Sequence, residues 1–390
     1  MESWAFKAIL YCRSNLIPDR MHFYRQRVPS FPKAKVMHRF HVYTLLVLIF
    51  VQTITQAQEP LTRIAFGSCC KQDKPQPIWE SIVAKNPQLF LFLGDNIYGD
   101  TEDMKVLKAK WDMLANQAGY KKLKEKCQVL ATWDDHDYGA NDAGAEYPRK
   151  KESQQIFQDF LGVTKDSPRR KQEGVYHSEI IGPVGKRVQI ILLDVRYFRS
   201  PLKTGYKPGE PGDGYRGKYA PETNPSATVL GETQWKWLEE QLKKPAELRL
   251  VCSGVQVIPD EHGSEMWGNF PLEREKLFKL IASTKANNVL LLSGDRHLAE
   301  IMKLPAKTHG IPDPLYEITS SSLNTPSGNL TKAGTRFSNE INSYRMGLTY
   351  FETNFGIVEI DWNQSPPLVR GQVCDEAGAV VLQQKILLKK

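Results

Sequence analysis

The sequence predicts an α/β layered fold, and three features of its pattern support this prediction. Over roughly the first three quarters of residues 58–390, short apolar segments alternate with longer amphipathic segments. The apolar segments are almost free of polar residues, as expected of strands that are covered on both faces. The last part of the chain has consecutive strand-like segments with no helix between them, which predicts antiparallel pairing.

The elements follow one another in a strand-then-helix order. Each predicted strand is an apolar run that stops at a glycine or an acidic residue: "RIAFGSC", "LFLFLGD", "VLATWD", "KRVQIILLDV", "RLVCSGVQVI" and "NVLLLSGD". The predicted helices are amphipathic or charged: Ile78–Ala84, 101–126, Ser153–Gly162, Gly231–Leu242 and Leu272–Thr284. The antiparallel tail comprises "LYEITSSSL", "LTYFETNFGIVEI", "PPLVRGQV" and "AVVLQQKILL". Residues 199–229, rich in Gly, Pro, Tyr and Lys, predict a long functional or partly ordered loop.

Residues 1–57 predict an N-terminal extension and signal peptide, and residues 58–390 a single domain. "YTLLVLIFV" (Tyr43–Val51) is an uncharged apolar run preceded by basic residues, and "TQA" (Thr55–Ala57) provides small residues for a cleavage site. A start at Met37 would leave a signal peptide of ordinary length, about residues 37–57. We therefore expect a secreted or periplasmic protein with no stable membrane insertion after cleavage, and a signal anchor in the membrane is the alternative.

The net charge of +8 comes mostly from this N-terminal region. Residues 1–57 contain eight Lys or Arg and two Asp or Glu, so residues 58–390 carry 44 basic and 42 acidic residues. A nearly neutral body argues against a nucleic-acid partner. The cysteines show no CxxC pair and are too sparse for a disulfide scaffold. The sequence leaves the oligomeric state open.

Polar side chains with metal-binding chemistry follow four of the predicted strands directly. The endings are "GSCC", "GDNIYGD", "WDDHDYGAND" and "SGDRHLAE". In open α/β sheets ligands bind beyond the carboxyl ends of the strands, and converging carboxylates repel each other unless a cation compensates. Oxygen donors suit calcium, magnesium or manganese, whereas thiolate and phenolate suit iron or zinc. The pattern therefore predicts a site for two or more metals, with Asp95 well placed to bridge them.

Each ending by itself also has a structural interpretation. Asp95 and Asp100 could cap the following helix, Tyr98 could be a packed aromatic residue, and Cys69 and Cys70 could be inert buried thiols. The metal hypothesis rests on the coincidence of four such endings, each immediately after an apolar strand.

These motifs, in this order, resemble the PhoD-like (alkaline phosphatase D-like) branch of the metallophosphoesterases. The resemblance runs from about Leu61 to Asn324 and includes "FGSCC", "LGDNIYGD", "ATWDDHDYGANDAG", "LLDVRYFR", "SGVQ", "LLLSGDRH" and "EITSSSLN". It implies a four-layer αββα sandwich of two mixed sheets flanked by helices. It also implies hydrolysis of phosphate esters by a metal-activated hydroxide, with iron and calcium as the expected metals and zinc, manganese or magnesium as alternatives.

The resemblance also implies roles for individual residues. The metal ligands it implies are Cys69, Asp95, Tyr98, Asp135, Asp295 and His297. His136 would face the phosphate and Arg196 would contact it, with Asp194 orienting that arginine. Two departures stand out: Arg296 lies between the last two ligands, and the middle histidine of the superfamily has no evident counterpart, although Ser253 or Gln256 could replace it.

Three functions are compatible with this sequence. The first is an exported metal-dependent phosphatase with a phosphate-ester substrate. The second is a phosphodiesterase or phospholipase on the same fold, suggested by the predicted export signal and by the loop at residues 199–229. The third is a calcium-stabilised binding protein without catalysis, against which Cys69, Tyr98 and His136 argue because a structural calcium site needs only oxygen ligands.

Overall fold

The computed structural model describes residues 59–205, 218–328, 337 and 340–389. Its strands are β1 Arg63–Gly67, β2 Leu89–Leu93, β3 Gln128–Thr132, β4 His177–Ile181, β5 Val188–Leu192, β6 Leu248–Ser253, β7 Val289–Ser293, β8 Ala299–Leu304, β9 Leu315–Ser320, β10 Asn354–Asp361, β11 Leu368–Asp375 and β12 Val380–Leu387. Its α-helices are α1 Ile78–Ala84, α2 Met104–Asn116, α3 Ala118–Lys126, α4 Asp135–Tyr138, α5 Lys150–Phe160, α6 Gly231–Leu242 and α7 Pro271–Ser283.

The strands form two mixed sheets of six strands each. The first sheet has the order β12-β11-β10-β1-β2-β3 and the second has the order β4-β5-β6-β7-β9-β8. Strands β1 to β3 are parallel, and so are β5, β6 and β7, because helices carry the chain back between them. The carboxyl ends of strands from both sheets therefore meet at one edge of the molecule.

Three apolar cores hold four layers together. One core lies between the sheets and includes Leu91 of the first sheet and Leu250 of the second. Another packs the first sheet against its helices around Trp79 and Trp111. The last packs the second sheet against α6 and α7 around Leu238. This arrangement confirms the four-layer αββα sandwich that the family resemblance implies.

The structure corrects the predicted strands in two respects. The sequence pattern missed β4 and β8, which are the edge strands of the second sheet. Most residues of β4 are only partly buried, so its sequence lacks the apolar run that marks the central strands. The prediction of a wholly antiparallel tail was wrong for β9, which runs parallel to β7 in the second sheet, whereas β10, β11 and β12 do form an antiparallel meander in the first.

The extension and signal peptide predicted for residues 1–57 lie outside the described residues, as do residues 206–217 of the predicted loop. No helix within the described ranges has both the length and the apolar character needed to cross a bilayer.

Candidate metal centre at the strand ends

The backbone turns sharply where the strands end. Cys69, Asp95, Asp295 and His297 adopt left-handed conformations, with φ of 56°, 49°, 70° and 56°. Residues other than glycine adopt this conformation rarely and at an energetic cost, and such residues cluster at functional sites. The tight turns direct donor side chains inward from strands that belong to different sheets.

Glycines allow the strand ends to approach each other closely. At Gly94, where φ is 97°, an added Cβ would lie 2.4 Å from Cβ of Asp134. At Gly254 an added Cβ would lie 2.5 Å from Oδ1 of the same aspartate. Asp137 adds hydrogen bonds to this junction, because Oδ1 accepts the amides of Asp134 at 2.7 Å and Asp95 at 3.2 Å. Asp137 is therefore a structural cap that joins the ends of β2 and β3.

Sulfur, phenol, imidazole and carboxylate donors meet in one group. Sγ of Cys69 lies 3.4 Å from Oδ2 of Asp95, and Oη of Tyr98 lies 3.4 Å from Nε2 of His297. Ligand atoms of Cys69, Asp95 and His297 all lie within 4.8 Å of one another. Nδ1 of His297 donates to the carbonyl oxygen of Thr325 at 2.5 Å, which leaves Nε2 as the ligating nitrogen.

Carboxylates form overlapping groups beside the first. Ligand atoms of Asp95, Asp135 and His136 lie within 4.8 Å of one another, and so do those of Asp134, Asp135 and Asp295. Asp95 belongs to both the soft-donor group and a carboxylate group, as expected of a bridging ligand. The structure thus brings together Cys69, Asp95, Tyr98 and His297 on one side. On the other side lies Asp135, which belongs to one group with Asp95 and to another with Asp295.

The buried acids need compensating charge. Burial and the neighbouring Cys69 and Asp135 raise the pKa of Asp95 well above its ordinary value. Burial, with Asp135 and Glu265, raises the pKa of Asp295 to about 7, and burial raises the pKa of Cys69 to about 12. Three buried carboxylate oxygens have no hydrogen-bond partner among the described residues: Asp95 Oδ1, Asp134 Oδ2 and Asp135 Oδ1. Unpaired oxygens and raised pKa values are what metal ligands show without their cations, so the donor set fits bound metals.

Asp135 differs from the other acids in its protonation. Burial alone would raise its pKa, but Arg196 and His136 nearby and the amide of Asp142 lower it below the ordinary value. That amide donates to Oδ2 of Asp135 at 2.7 Å. Asp135 is therefore ionised before any cation arrives.

His136 is held as a cation beside the metal ligands. Its Nδ1 lies 2.7 Å from Oδ1 of Asp100, and its ring lies 4.3 Å from that of Tyr98, centroid to centroid. Burial works against protonation, but the hydrogen bond to Asp100 and the charge of Asp135 prevail and raise the pKa of His136 to about 9. The ring is consequently an imidazolium at neutral pH.

Arg196 lies among buried carboxylates. Its side chain is fully buried, with Nε 2.5 Å from Oδ1 of Asp134 and Nη1 2.7 Å from both carboxylate oxygens of Glu265. Asp194 binds its backbone amide at 2.9 Å and not its guanidinium. These contacts hold the guanidinium among carboxylates, while Nη2 has no hydrogen-bond partner among the described residues. The predicted contact of Arg196 with phosphate stays a prediction.

The structure also places three other residues or pairs that the sequence analysis singled out. Arg296 is buried and pairs with Glu340 at 2.6 Å, so its charge is already balanced. Gln256 donates to Glu300 at 2.7 Å and Ser253 donates to the carbonyl of Val255 at 2.7 Å, and the replacement of the missing histidine by either stays a prediction. The thiol in contact with Asp95 belongs to Cys69, as the motif register implies.

Glu265 is the functional candidate that the sequence analysis missed. Its carboxylate lies within 4.8 Å of ligand atoms of Asp135 and Asp142, and it also pairs with Arg199 at 3.2 Å. Glu265 lies in the connection between β6 and α7, away from any strand end and outside every motif. No local signal in the sequence marks Glu265. Only its short distance to Asp135 and Asp142 in the folded chain identifies it.

Comparisons with known proteins identify the family and the fold of the chain. A family model described as PhoD-like phosphatase matches residues 109–366. Alkaline phosphatase D from Bacillus subtilis is 26% identical over 188 residues, which cover 43% of this chain and 30% of the length of that relative. The solved structure of PhoD superposes with a TM-score of 0.61 at 18% identity, covering 86% of this chain and 73% of that chain. A dimetal phosphatase from Danio rerio superposes with a TM-score of 0.49 at 12% identity, covering 85% of this chain and all of that chain.

Proposed function

The chain belongs to the PhoD-like phosphatase family, and from this premise we propose that it is an exported, metal-dependent hydrolase of phosphate esters. The observation that carries the proposal is the overlap of donor groups at the strand ends. Asp95 is shared between the group that it forms with Cys69 and His297 and the group that it forms with Asp135 and His136, each with ligand atoms within 4.8 Å of one another. Two neighbouring metal ions can stabilise both the attacking and the leaving oxygen of a phosphoryl transfer.

The two donor sets favour different metals. Cys69, Tyr98 and His297, with Asp95, would hold a more strongly Lewis-acidic ion, for which we propose iron, with zinc as the alternative. Asp135 and Asp295, with Asp95, would hold a hard cation, for which we propose calcium, with magnesium or manganese as alternatives. When bound, such ions polarise the phosphate ester and acidify a water molecule.

His136 supplies the proton chemistry of the chain itself. Because Asp100 engages Nδ1, Nε2 is the nitrogen that remains to donate to a phosphate oxygen or to the leaving group. The pKa of about 9 keeps that proton in place at neutral and mildly alkaline pH. Arg196 acts indirectly, because its bonds to Asp134 and Glu265 hold the turn that carries Asp135.

Export remains part of the proposal and is supported by the sequence pattern of residues 37–57. Cleavage after Ala57 would release the domain, and an uncleaved apolar run would instead anchor it to a membrane. Determining the N-terminal residue of the protein recovered from its native compartment separates these outcomes. A mature N-terminus near Gln58 supports export with cleavage, and an intact leader in a cytosolic fraction contradicts export.

The activity itself is tested with p-nitrophenyl phosphate and bis-p-nitrophenyl phosphate. We expect turnover that chelation abolishes and metal reloading restores, and the ratio of the two rates distinguishes a monoesterase from a diesterase. Asp95→Asn and Cys69→Ser should lower kcat by at least about a hundredfold, whereas Asp112→Asn, an exposed acid on α2, should not. Turnover that survives both chelation and Asp95→Asn would contradict the mechanism. Metal-dependent melting without any turnover would support a non-catalytic binding protein instead.

A further inference from the structure

Strand β12 forms a long open edge at one side of the sandwich. It is eight residues long and, within the described ranges, pairs only with β11. The neighbouring edge of the second sheet is covered, since the amides of Ala299 and Tyr350 each donate to the other's carbonyl, and Met346 donates to Ile301. An uncovered strand edge presents unpaired N–H and C=O groups and is a template for pairing with another chain.

The register of β12 identifies which backbone groups face outward. The amide of Leu388 donates to the carbonyl of Pro367 at 2.9 Å, and the pairing continues with Leu387 opposite Leu368. Antiparallel strands alternate between pairs that exchange hydrogen bonds and pairs that do not. The backbone groups of Gln383, Lys385 and Leu387 therefore point away from β11. Of these, the carbonyl oxygen of Lys385 accepts a hydrogen bond at 2.6 Å from Nε2 of Gln384.

Apolar side chains are exposed along the same edge. Val380 and Leu387, at the two ends of β12, are 46% and 59% exposed. Leu348, in the segment that covers the edge of β8, is 79% exposed. These side chains add apolar surface beside the outward backbone groups of β12.

We propose that this edge pairs with the same edge of a second copy of the chain, with the two β12 strands antiparallel about a twofold axis at Gln384. In this register the outward backbone groups of Lys385 face those of Gln383 of the partner subunit. On the inner face, Ile386 lies opposite the partner's Leu382. The two first sheets then form one continuous sheet across the axis.

The sequence of β12 favours this register over the one centred on Lys385. "VVLQQKIL" has apolar residues at both ends and two glutamines at its centre, so it is nearly symmetric about the axis. Lys385 is its only charged residue, and the register places it opposite a glutamine. Moving the axis to Lys385 would place two lysines opposite each other, which is unfavourable.

Charge reversal at the axis tests the proposal. Gln384→Lys and Gln384→Glu each place like charges directly opposite each other, and mixing the two variants places opposite charges there. Sedimentation equilibrium on the full chain should show a concentration-dependent dimer for the parent protein. We expect the dissociation constant to rise at least about tenfold in either variant alone and to recover in the mixture. Gln155→Lys and Gln155→Glu, at an exposed position on α5, are matched controls that should behave as the parent.

Three results would overturn the proposal. They are a parent chain that stays monomeric at the highest attainable concentration, a dimer that both Gln384 variants retain, and a mixture that fails to recover. A monomeric parent would mean that another segment or another partner covers the edge. Because β12 lies away from the metal ligands, phosphatase activity serves as the control that every variant is folded.

Discussion

Replacing Arg196 with methionine tests whether one buried guanidinium balances the acids of the centre. Arg196 and Asp134 are both fully buried, and their side chains are 2.5 Å apart. Methionine preserves much of the side-chain volume but removes the charge and the hydrogen bonds. In metal-free protein the acids then lose a compensating cation, and the free energy of unfolding should fall.

The contacts around Arg196 set the magnitude of this effect. Glu265 retains Arg199 at 3.2 Å, whereas Asp134 has no second cationic partner within the described part of the chain. Removing one partner of a buried ion pair costs about 3–5 kcal/mol. A domain of roughly 330 residues has an unfolding entropy of about 0.7 kcal/mol per kelvin, so the melting temperature should fall by about 4–7 °C.

The pH dependence separates lost charge from lost packing. Burial already raises the pKa of Asp134, and losing Arg196 raises it further. A carboxyl whose folded pKa is raised destabilises the fold above that pKa, and this cost disappears as pH falls through it. The deficit of the Arg196→Met variant should therefore be larger at pH 8 than at pH 5, whereas a packing defect would be equal at both.

Thermal unfolding of chelator-treated protein, followed by circular dichroism at both pH values, measures this difference. Arg370→Met, whose partner Glu359 lies 4.0 Å away at the surface, is the control and should change stability little. The double variant Arg196→Met, Asp134→Asn should recover part of the loss, because it removes the unpaired charge. A deficit that is independent of pH and not relieved by the second substitution would refute the reasoning.

Three further predictions concern protons, metals and the backbone. Asp100→Asn should lower the pKa of His136 from about 9 toward its ordinary value, so that kcat/KM declines at a lower pH than in the parent; an unmoved alkaline limb would contradict the pairing. Because the pKa of Asp295 is about 7, a cation must displace its proton at pH 6 but not at pH 8. Calorimetric titration with calcium in buffers of different ionisation enthalpy should therefore detect roughly one more released proton at pH 6, and equal release at both would refute this. Gly94→Ala should destabilise the protein more than Gly162→Ala, since both have positive φ but only the first would clash with a neighbour; comparable melting temperatures would show that the close approach is unimportant.

Much of the fold and most of the candidate centre were predictable from local patterns. The predominantly apolar runs of β2, β5 and β7 marked them as central strands because their side chains are covered on both faces. The half-exposed β4 lacks that mark, since an edge strand contacts water. The predicted ligands Cys69 and Asp95 were visible because each follows such a strand directly.

The partners of Arg196 and the place of Glu265 were not predictable. Arg196 follows a strand of the second sheet and its motif suggested a role at phosphate, yet Asp134 and Glu265 enclose it. Glu265 lies in an irregular connection whose composition carries no signal. Such contacts join residues that are 62 and 69 positions apart in the chain, and nothing in either local pattern specifies the other.

The order of strands and helices, and the kind of donor atom at each strand end, follow from the amino-acid sequence without any knowledge of the folded chain. Both are local properties, because covering a strand on two faces and turning sharply after it depend on residues that are close together along the chain. Packing of the two sheets determines which donors lie near enough to share a cation, which acid has an arginine beside it, and which strand edge is left open. Those outcomes depend on distances through space, which stacking of the layers sets and which no segment encodes by itself.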